Sequence, residues 1–316
     1  MLGLSLDSLP KQFEDTVQGR VLILDADAAI YKAAATTDNL ETAKRRFIKE
    51  VQTIEFLSKA SHVRLHLTSR DSRKAGRYNL LGVKPYQGNR SGKARPALVE
   101  PLRQAIGADM FHCPDNWQVA LHREYEADDG VIMDSYLFKE SGVVYSEDKD
   151  LRMTQYPYLD PYTLELYPTV KEGAGRLYWR EKASGASLLG HGPLFFWAQM
   201  LMGDTADNIK GLINLYGKPC GASAAYTLLD GIGSEKDAAQ LVLEAYKAID
   251  QNPFPEGCAL WLYREPEYSF PRYLHELGLM QDEWLQECLY KRNWYGLTPA
   301  SECSPDCAAD TGGGEV

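Results

Sequence analysis

No apolar run in this chain of 316 residues approaches the ~20 positions that a membrane-spanning helix requires; the longest, Leu194 to Met202, covers nine. A basic stretch leading into an apolar one is missing from the N-terminus, so an export signal is not expected. Cysteine is scarce. The six present (Cys113, Cys220, Cys258, Cys288, Cys303, Cys307) are expected as reduced thiols in a cytoplasmic chain. Excess positive charge is also lacking, since the net charge of −10 argues at first sight against a nucleic-acid partner. A hydrophobic content of 44% with 25% charged residues excludes a largely disordered chain. At roughly one domain per ~150 residues, the length fits two domains or one large core with an attached module.

The charge is sharply segregated. Between His62 and Arg103 stand ten basic residues (Arg64, Arg70, Arg73, Lys74, Arg77, Lys84, Arg90, Lys93, Arg95 and Arg103) against Asp71 and Glu100, a local excess of +8. The acids gather in separate clusters. Such a chain is expected to meet a polyanion with one surface and cations with another.

Arg20 to Asp25 (RVLILD) is apolar, β-rich and ends in carboxylates, the pattern of a buried parallel strand. Asp38 with Glu41 predicts a capping box, and Ala43, Phe47, Val51 and Ile54 recur at helical spacing behind it. Val63 to Thr68 alternates as a second strand. The polar, basic, Gly-containing stretch 69–96 predicts a loop or arch, and that much loop in a compact domain is usually functional. A helix over Ala97–Ile106, a strand over Asp109–Cys113, a helix over Glu126–Glu140 and a strand over Gly142–Tyr145 are expected next. Tyr156 to Trp179 reads as β-hairpin structure, and the chain beyond Pro193 as mostly helical with a Gly-rich connection, 203–221. The Gly/Ser/Asp/Pro tail 301–316 is expected to be disordered.

Four acidic clusters fall at expected strand ends or helix starts: Asp25/Asp27, Glu126/Asp128/Asp129, Asp148/Asp150 and Asp204/Asp207. In parallel α/β sheets, sites lie at the carboxyl ends of the strands. Two carboxylates ~4 Å apart repel by about 4 kcal/mol at an effective dielectric of ~20, so a converging set needs protons or cations. An all-oxygen donor set suits Mg²⁺ or Mn²⁺, and several carboxylates can hold two ions. Other motifs fail. Gly211 to Lys218 has one residue too many for a phosphate-binding P-loop, and Pro219 stands where Ser/Thr is needed. Pro219-Cys220 lacks the second cysteine of a zinc deaminase, with Ser223 there instead.

In this order and spacing the clusters resemble the 5′ nuclease (flap endonuclease) family, and most nearly the 5′→3′ exonucleases of tailed bacteriophages. The likeness runs from about Val21 to Leu229. LILDAD resembles the first strand, KPYQGNRSGKARP the basic arch, EADD the acidic helix start, and GDTADNIKG the motif G-D-x-x-D-N-I-x-G. The resemblance implies an α/β, PIN-like nuclease core with a twisted, mostly parallel sheet, a helical arch and a helix–three-turn–helix DNA-binding module. Its implied divisions are an extension (1–19), the core (20–192) with its arch (69–96), the module (193–260), a helical segment (261–300) and a tail (301–316). It implies Asp25, Glu126, Asp128, Asp129, Asp148, Asp150, Asp204 and Asp207 as ligands of two Mg²⁺ or Mn²⁺, with Lys84 and Arg90 joining them in catalysis. DNA contacts would come from Arg73, Lys74, Arg77, Lys84, Tyr86, Arg90, Lys93, Arg95, Lys210, Gly217, Lys218 and Gly221, with Tyr86 stacking on a terminal base. A K⁺ ion in the module is a further implied ligand. Implied partners are DNA with 5′ ends, nicks or flaps, RNA–DNA hybrids, and a phage single-strand-binding protein or polymerase; the protein would act as a monomer in an infected host's cytoplasm.

Three departures stand out. The second strand ends in Leu67-Thr68-Ser69 where the family has an aspartate, leaving Asp71 as a possible substitute. Gln87 replaces an arch lysine, and 211–221 is longer than the usual hairpin. Two rival readings remain open: a haloacid-dehalogenase-like Mg²⁺ phosphatase with Asp25 as nucleophile and Asp27 as acid/base, and a non-catalytic DNA-binding accessory protein.

Overall fold

The computed structural model describes residues 16–90, 95–108, 113–181 and 185–296. Lys93, the strand expected over Asp109–Cys113 (apart from Cys113) and the tail lie outside the described residues. The central strand β1 (Val17–Asp25) begins before the apolar run and carries it to Asp25. Its side chains alternate between two cores. Leu22 and Leu24 join one, Val21 and Ile23 the other, and all four are buried. Burial on both faces is what a continuous Val/Ile/Leu run in a parallel strand provides for.

On the first face lie α1 (Ala26–Ala35), α2 (Leu40–Ser58) and α3 (Val99–Gly107). Ala43, Phe47, Val51 and Ile54 form the buried stripe of α2, as their spacing predicts. Each larger apolar side chain buried this way contributes roughly 1.5–3 kcal/mol. The cap of α2 is Asn39, whose side chain accepts from the Thr42 N–H at 2.9 Å. Asp38, the expected cap, lies one residue outside.

The sheet has six strands in the order β3–β2–β1–β4–β5–β6. Here β2 is Ala60–Thr68, β3 Trp117–His122, β4 Gly142–Tyr145, β5 Tyr158–Leu159 and β6 Leu166–Tyr167. All pairings are parallel except β5 with β6. The sequence gives little sign of β3, because this edge strand is mostly half-buried or exposed and lacks a continuous apolar run. The hairpin expected over 156–179 is two separate things. Its first part returns along the main sheet as β5 and β6. Its second part, β7 (Arg176–Arg180), pairs with β8 (Ser187–His191) in a small sheet of its own.

Behind the second face stand α4 (Ala127–Phe138) and α5 (Pro193–Met202), buried along its length up to the half-buried Met202. Helices α6 (Ala222–Leu229), α7 (Glu235–Ala248), α8 (Phe254–Leu260), α9 (Phe270–Glu276) and α10 (Glu283–Tyr290) extend the same apolar cluster. Trp261 and Tyr273 stack with ring centroids 4.5 Å apart, and Trp261 meets Phe196 of α5 edge to face at 5.2 Å. The C-terminal aromatics thus continue the core of α5. The strand order switches sides between the parallel strands β1 and β4, and the crevice outside their carboxyl ends is where such sheets place a site.

Candidate metal centre beneath a basic strap

Asp25 ends β1 and caps α1, its Oδ1 accepting from the Asp27 N–H at 2.9 Å. The carboxyl is buried. Burial, then the charges of Asp27 and Asp148, push its pKa up to about 8. Asp148 and Asp150 follow β4 in a turn where the Ser146 hydroxyl accepts from the Asp148 N–H and Asp148 Oδ1 from the Asp150 N–H, both at 2.9 Å. Asp128, on the first turn of α4, is also raised well above the carboxylate range, by burial and then by Asp25, Asp148, Glu126 and Asp150. Clusters far apart in the sequence therefore act on one another across a single crevice.

The fourth cluster closes the far side. Gly203 ends α5 with φ +73°, and a Cβ there would lie 2.4 Å from the carbonyl oxygens of both Ile209 and Lys210. Only glycine lets the chain double back this closely. Asp204 and Ile209 then exchange backbone hydrogen bonds of 2.8 and 2.7 Å, and this tight loop brings Asp207 beside Asp204. One carboxylate oxygen each from Asp150, Asp204 and Asp207 lie within 4.8 Å of one another. Asp204 Oδ2 is buried without a hydrogen bond, its ionic neighbour Lys149 Nζ at 3.1 Å. Burial raises Asp150 and Asp207, while in Asp204 the effect of burial is outweighed by Lys149 and the pKa falls. An all-carboxylate donor set of this kind fits a hard divalent cation such as Mg²⁺ or Mn²⁺.

Glu126 and Asp129 divide their duties. Asp129 Oδ2 accepts from the Glu126 N–H at 3.0 Å in a capping box. Both Asp129 oxygens are taken by the Arg77 guanidinium, at 2.8 and 2.7 Å, and Asp129 is fully buried. Asp129, expected among the metal ligands, therefore has both oxygens engaged by Arg77. Arg77, expected on DNA, is buried with it and also donates to the Trp261 carbonyl at 2.6 Å. Tyr86, expected to stack on a base, is buried and donates its hydroxyl to Glu126 at 2.7 Å. Burial of Glu126 is outweighed by Arg77 and Lys74, which hold its pKa below the usual range.

Residues 72–90 form a strap of short 3₁₀ turns across the acids. Lys74 meets Glu126 at 2.9 Å, Gln87 donates to Asp207 at 3.0 Å, and Arg90 pairs with the same Asp207. Lys84 and Arg73 are exposed on this strap, and Arg95 beyond it. Lys210 is half-buried after the Asp207 loop, whereas Gly217, Lys218 and Gly221 are exposed ahead of α6. Asp71 stays apart, exposed and bonded to Ser69. At the end of β2, Thr68 Oγ1 instead accepts from the Ala127 N–H at 2.9 Å. Asp27 is engaged structurally, accepting from Arg103 at 3.0 Å and from the Thr68 N–H at 3.1 Å.

Sequence reasoning missed two groups. Lys149, between the two acids of SEDKD, binds both Asp150 and Asp204. Gln199 donates to Asp150 from within α5. Its signal was there to read, as a lone amide inside the apolar run Leu194–Met202.

No family model matches this chain, and no curated protein does. Among solved structures it is similar to the phage T5 D15 protein co-crystallised with metal ions (16% identity, 85% of this chain and 91% of that one, TM-score 0.43). It is similar to zinc-bound T5 5′-exonuclease (14%, 83% and 100%, TM-score 0.47). A third is the bacteriophage T5 D15 flap endonuclease in a pseudo-enzyme-product complex with DNA and metal ions (14%, 85% and 96%, TM-score 0.48). At such identities and scores these are resemblances of overall shape.

Proposed function

We propose that this chain is a divalent-metal-dependent 5′ nuclease, a 5′→3′ exodeoxyribonuclease that also cuts flaps. The carrying observation is the meeting of four carboxylate clusters in one crevice beneath a cationic strap. Asp25, Glu126, Asp128, Asp148, Asp150, Asp204 and Asp207 are seven acids opposed there by Lys74, Arg90 and Lys149. The excess of four negative charges matches two divalent ions. Such ions would supply Lewis acidity toward the scissile phosphodiester and toward water. Asp25, Asp128 and Asp148 would hold one and Asp150, Asp204 and Asp207 the other.

The chain's own groups then bind and orient. Arg90 and Lys84 would exchange carboxylate or water for the phosphates flanking the cut. Lys149 stays between Asp150 and Asp204 and favours the charged form of each, outweighing burial at Asp204 but not at Asp150. Backbone N–H groups before α6, with Lys210 and Lys218, would hold duplex phosphates without reading sequence. A K⁺ ion in that loop, action on RNA–DNA hybrids, monomeric behaviour and a phage replication or recombination role belong to the same reading. The phosphatase alternative needs Asp27 as a mobile acid/base, yet Arg103 and the Thr68 N–H hold it.

Duplex DNA labelled at the 5′ side of a nick, incubated with Mg²⁺ or EDTA, tests the proposal. Short 5′ products that require Mg²⁺, survive Asp27→Asn and vanish in Asp128→Ala are expected. Intact DNA alongside hydrolysis of p-nitrophenyl phosphate would refute it.

A further inference from the structure

The geometry points to a second binding site beside the strap, a tyrosine-walled pocket that receives an unpaired nucleobase from a single-stranded segment of the substrate. The inference rests on the nuclease reading for its substrate class. The pocket has a volume of about 680 Å³ and is walled by Tyr78, Tyr125, Tyr263 and Tyr295. These rings come from four separate stretches of chain, and none is a carboxylate or cation of the metal centre. That volume lies in the range that accepts small ligands.

Ring walls select a flat ligand. Tyr125 and Tyr263 brace each other edge to face, with centroids 5.0 Å apart. Tyr78 and Tyr295 are 56% and 43% exposed, unusually open for large rings that face a pocket rather than a smooth surface. Every base offers a π-face, so such walls bind bases without sequence preference. The Asn79 amide, donating to Tyr295 Oη at 3.1 Å, and Ser269 bring polar groups to a base edge.

The charges argue for a base rather than a phosphate inside. Arg73 and Glu124 pair across the rim at 3.4 Å, and Glu267 adds a further acid. The lining is therefore net acidic and would repel phosphate, which the strap outside attracts.

The pocket also adjoins the metal centre. Tyr125 directly precedes Glu126, and Lys74 lies 5.4 Å from the Tyr78 ring while its Nζ reaches Glu126. A strand whose phosphate lies over the carboxylates would thus carry a neighbouring base to this wall. The backbone here is held in an unusual form. Lys74, Ala75 and Gly76 have φ of 49°, 52° and 75° in succession, fixed by the Ala75 N–H on the Glu124 carbonyl at 2.6 Å. Left-handed non-glycine residues persist only where their surroundings over-determine them. At Gly76 a Cβ would lie 2.4 Å from Tyr295 Oη, so the ring packs directly on bare backbone.

The test uses the full chain and two substrates, a nicked duplex with and without a 5′ single-stranded extension that carries 2-aminopurine. With Ca²⁺ in place of Mg²⁺, quenching of 2-aminopurine on binding is expected. It should be lost in Tyr295→Ala, which removes a wall, and in Ser269→Trp, which fills the pocket. With Mg²⁺, both variants should raise KM tenfold or more on the extended substrate and by less than about twofold on the plain nick. Unchanged quenching in both variants, or equal KM increases on the two substrates, would overturn the pocket. Failure of the nuclease reading is a separate result, in which the parent chain cuts neither substrate; the quenching comparison then still decides the pocket.

Discussion

At the scale of single residues, the centre is held by carboxylates that folding disfavours in their charged form. Asp25, with its pKa pushed up to about 8 by burial, Asp27 and Asp148, keeps its proton in the metal-free folded chain. A carboxyl raised by folding contributes stability that is complete in acid and is lost as the pH climbs through its folded-state value. Metal-free protein is therefore expected to lose thermal stability progressively from about pH 4 to pH 8 and to level off above that. Asp25→Asn should show a shallower loss and a higher melting temperature at pH 9, with no Mg²⁺-dependent cleavage. An equally steep decline in the variant, by calorimetry, would contradict this account of Asp25. Arg77 makes the opposite case. Its guanidinium is 2% exposed and bidentate on Asp129, and breaking a buried pair by removing one partner costs about 3–5 kcal/mol. Arg77→Ala should lower urea stability by that amount. Arg90→Ala, at an exposed pair worth at most ~1 kcal/mol, should leave stability nearly unchanged and weaken DNA binding.

At the scale of elements, the site depends on two connections more than on the strands themselves. Gly203 lets the chain leave α5 and turn back so that Asp204 and Asp207 face Asp150. Gly203→Ala would place a methyl 2.4 Å from two carbonyl oxygens at φ +73°. Strain of this kind costs on the order of 1–3 kcal/mol, so the loop should open, with a lower melting temperature and weaker Mn²⁺ binding together. Unimpaired Mn²⁺ affinity in a folded Gly203→Ala protein would show that the loop does not position the ligands. The strap is the second connection. It reaches the acids through Lys74, Gln87 and Arg90, contacts that place cations where a polyanion would enter.

At the scale of the whole molecule, a chain of net charge −10 carries a cation-bearing strap beside an acidic crevice. If Lys84, Arg90, Arg95, Lys210 and Lys218 each meet one phosphate, log affinity for duplex DNA should fall with log salt at a slope near −4.5. A slope near zero in fluorescence anisotropy would exclude phosphate contacts by these residues. Much of this plan could be read from the sequence. The double-sided apolar strand, the helix with Phe47 and Val51, and four acidic clusters at element ends all follow from local pattern, because burial and parallel topology act on short segments. Three things could not be read that way. The edge strand β3 has no continuous apolar run, so only its pairing with β2 defines it. The inward turn of Arg77 and Asp129 depends on the backbone of Trp261 and Tyr263, over a hundred residues beyond Asp129, and that of Tyr86 on Glu126, and no local spacing encodes it. Lys149 acts through Asp204, a carboxylate far along the chain on another element. The central claim is that carboxylates from four separate segments bind divalent cations together. Titration of metal-free protein with Mn²⁺ by isothermal calorimetry, in buffers of different ionisation enthalpy, tests it most directly. Two ions per chain bound with release of protons, and impaired binding in both Asp128→Ala and Asp204→Ala, are the expected result. Binding that neither substitution affects, or none at all, would contradict it.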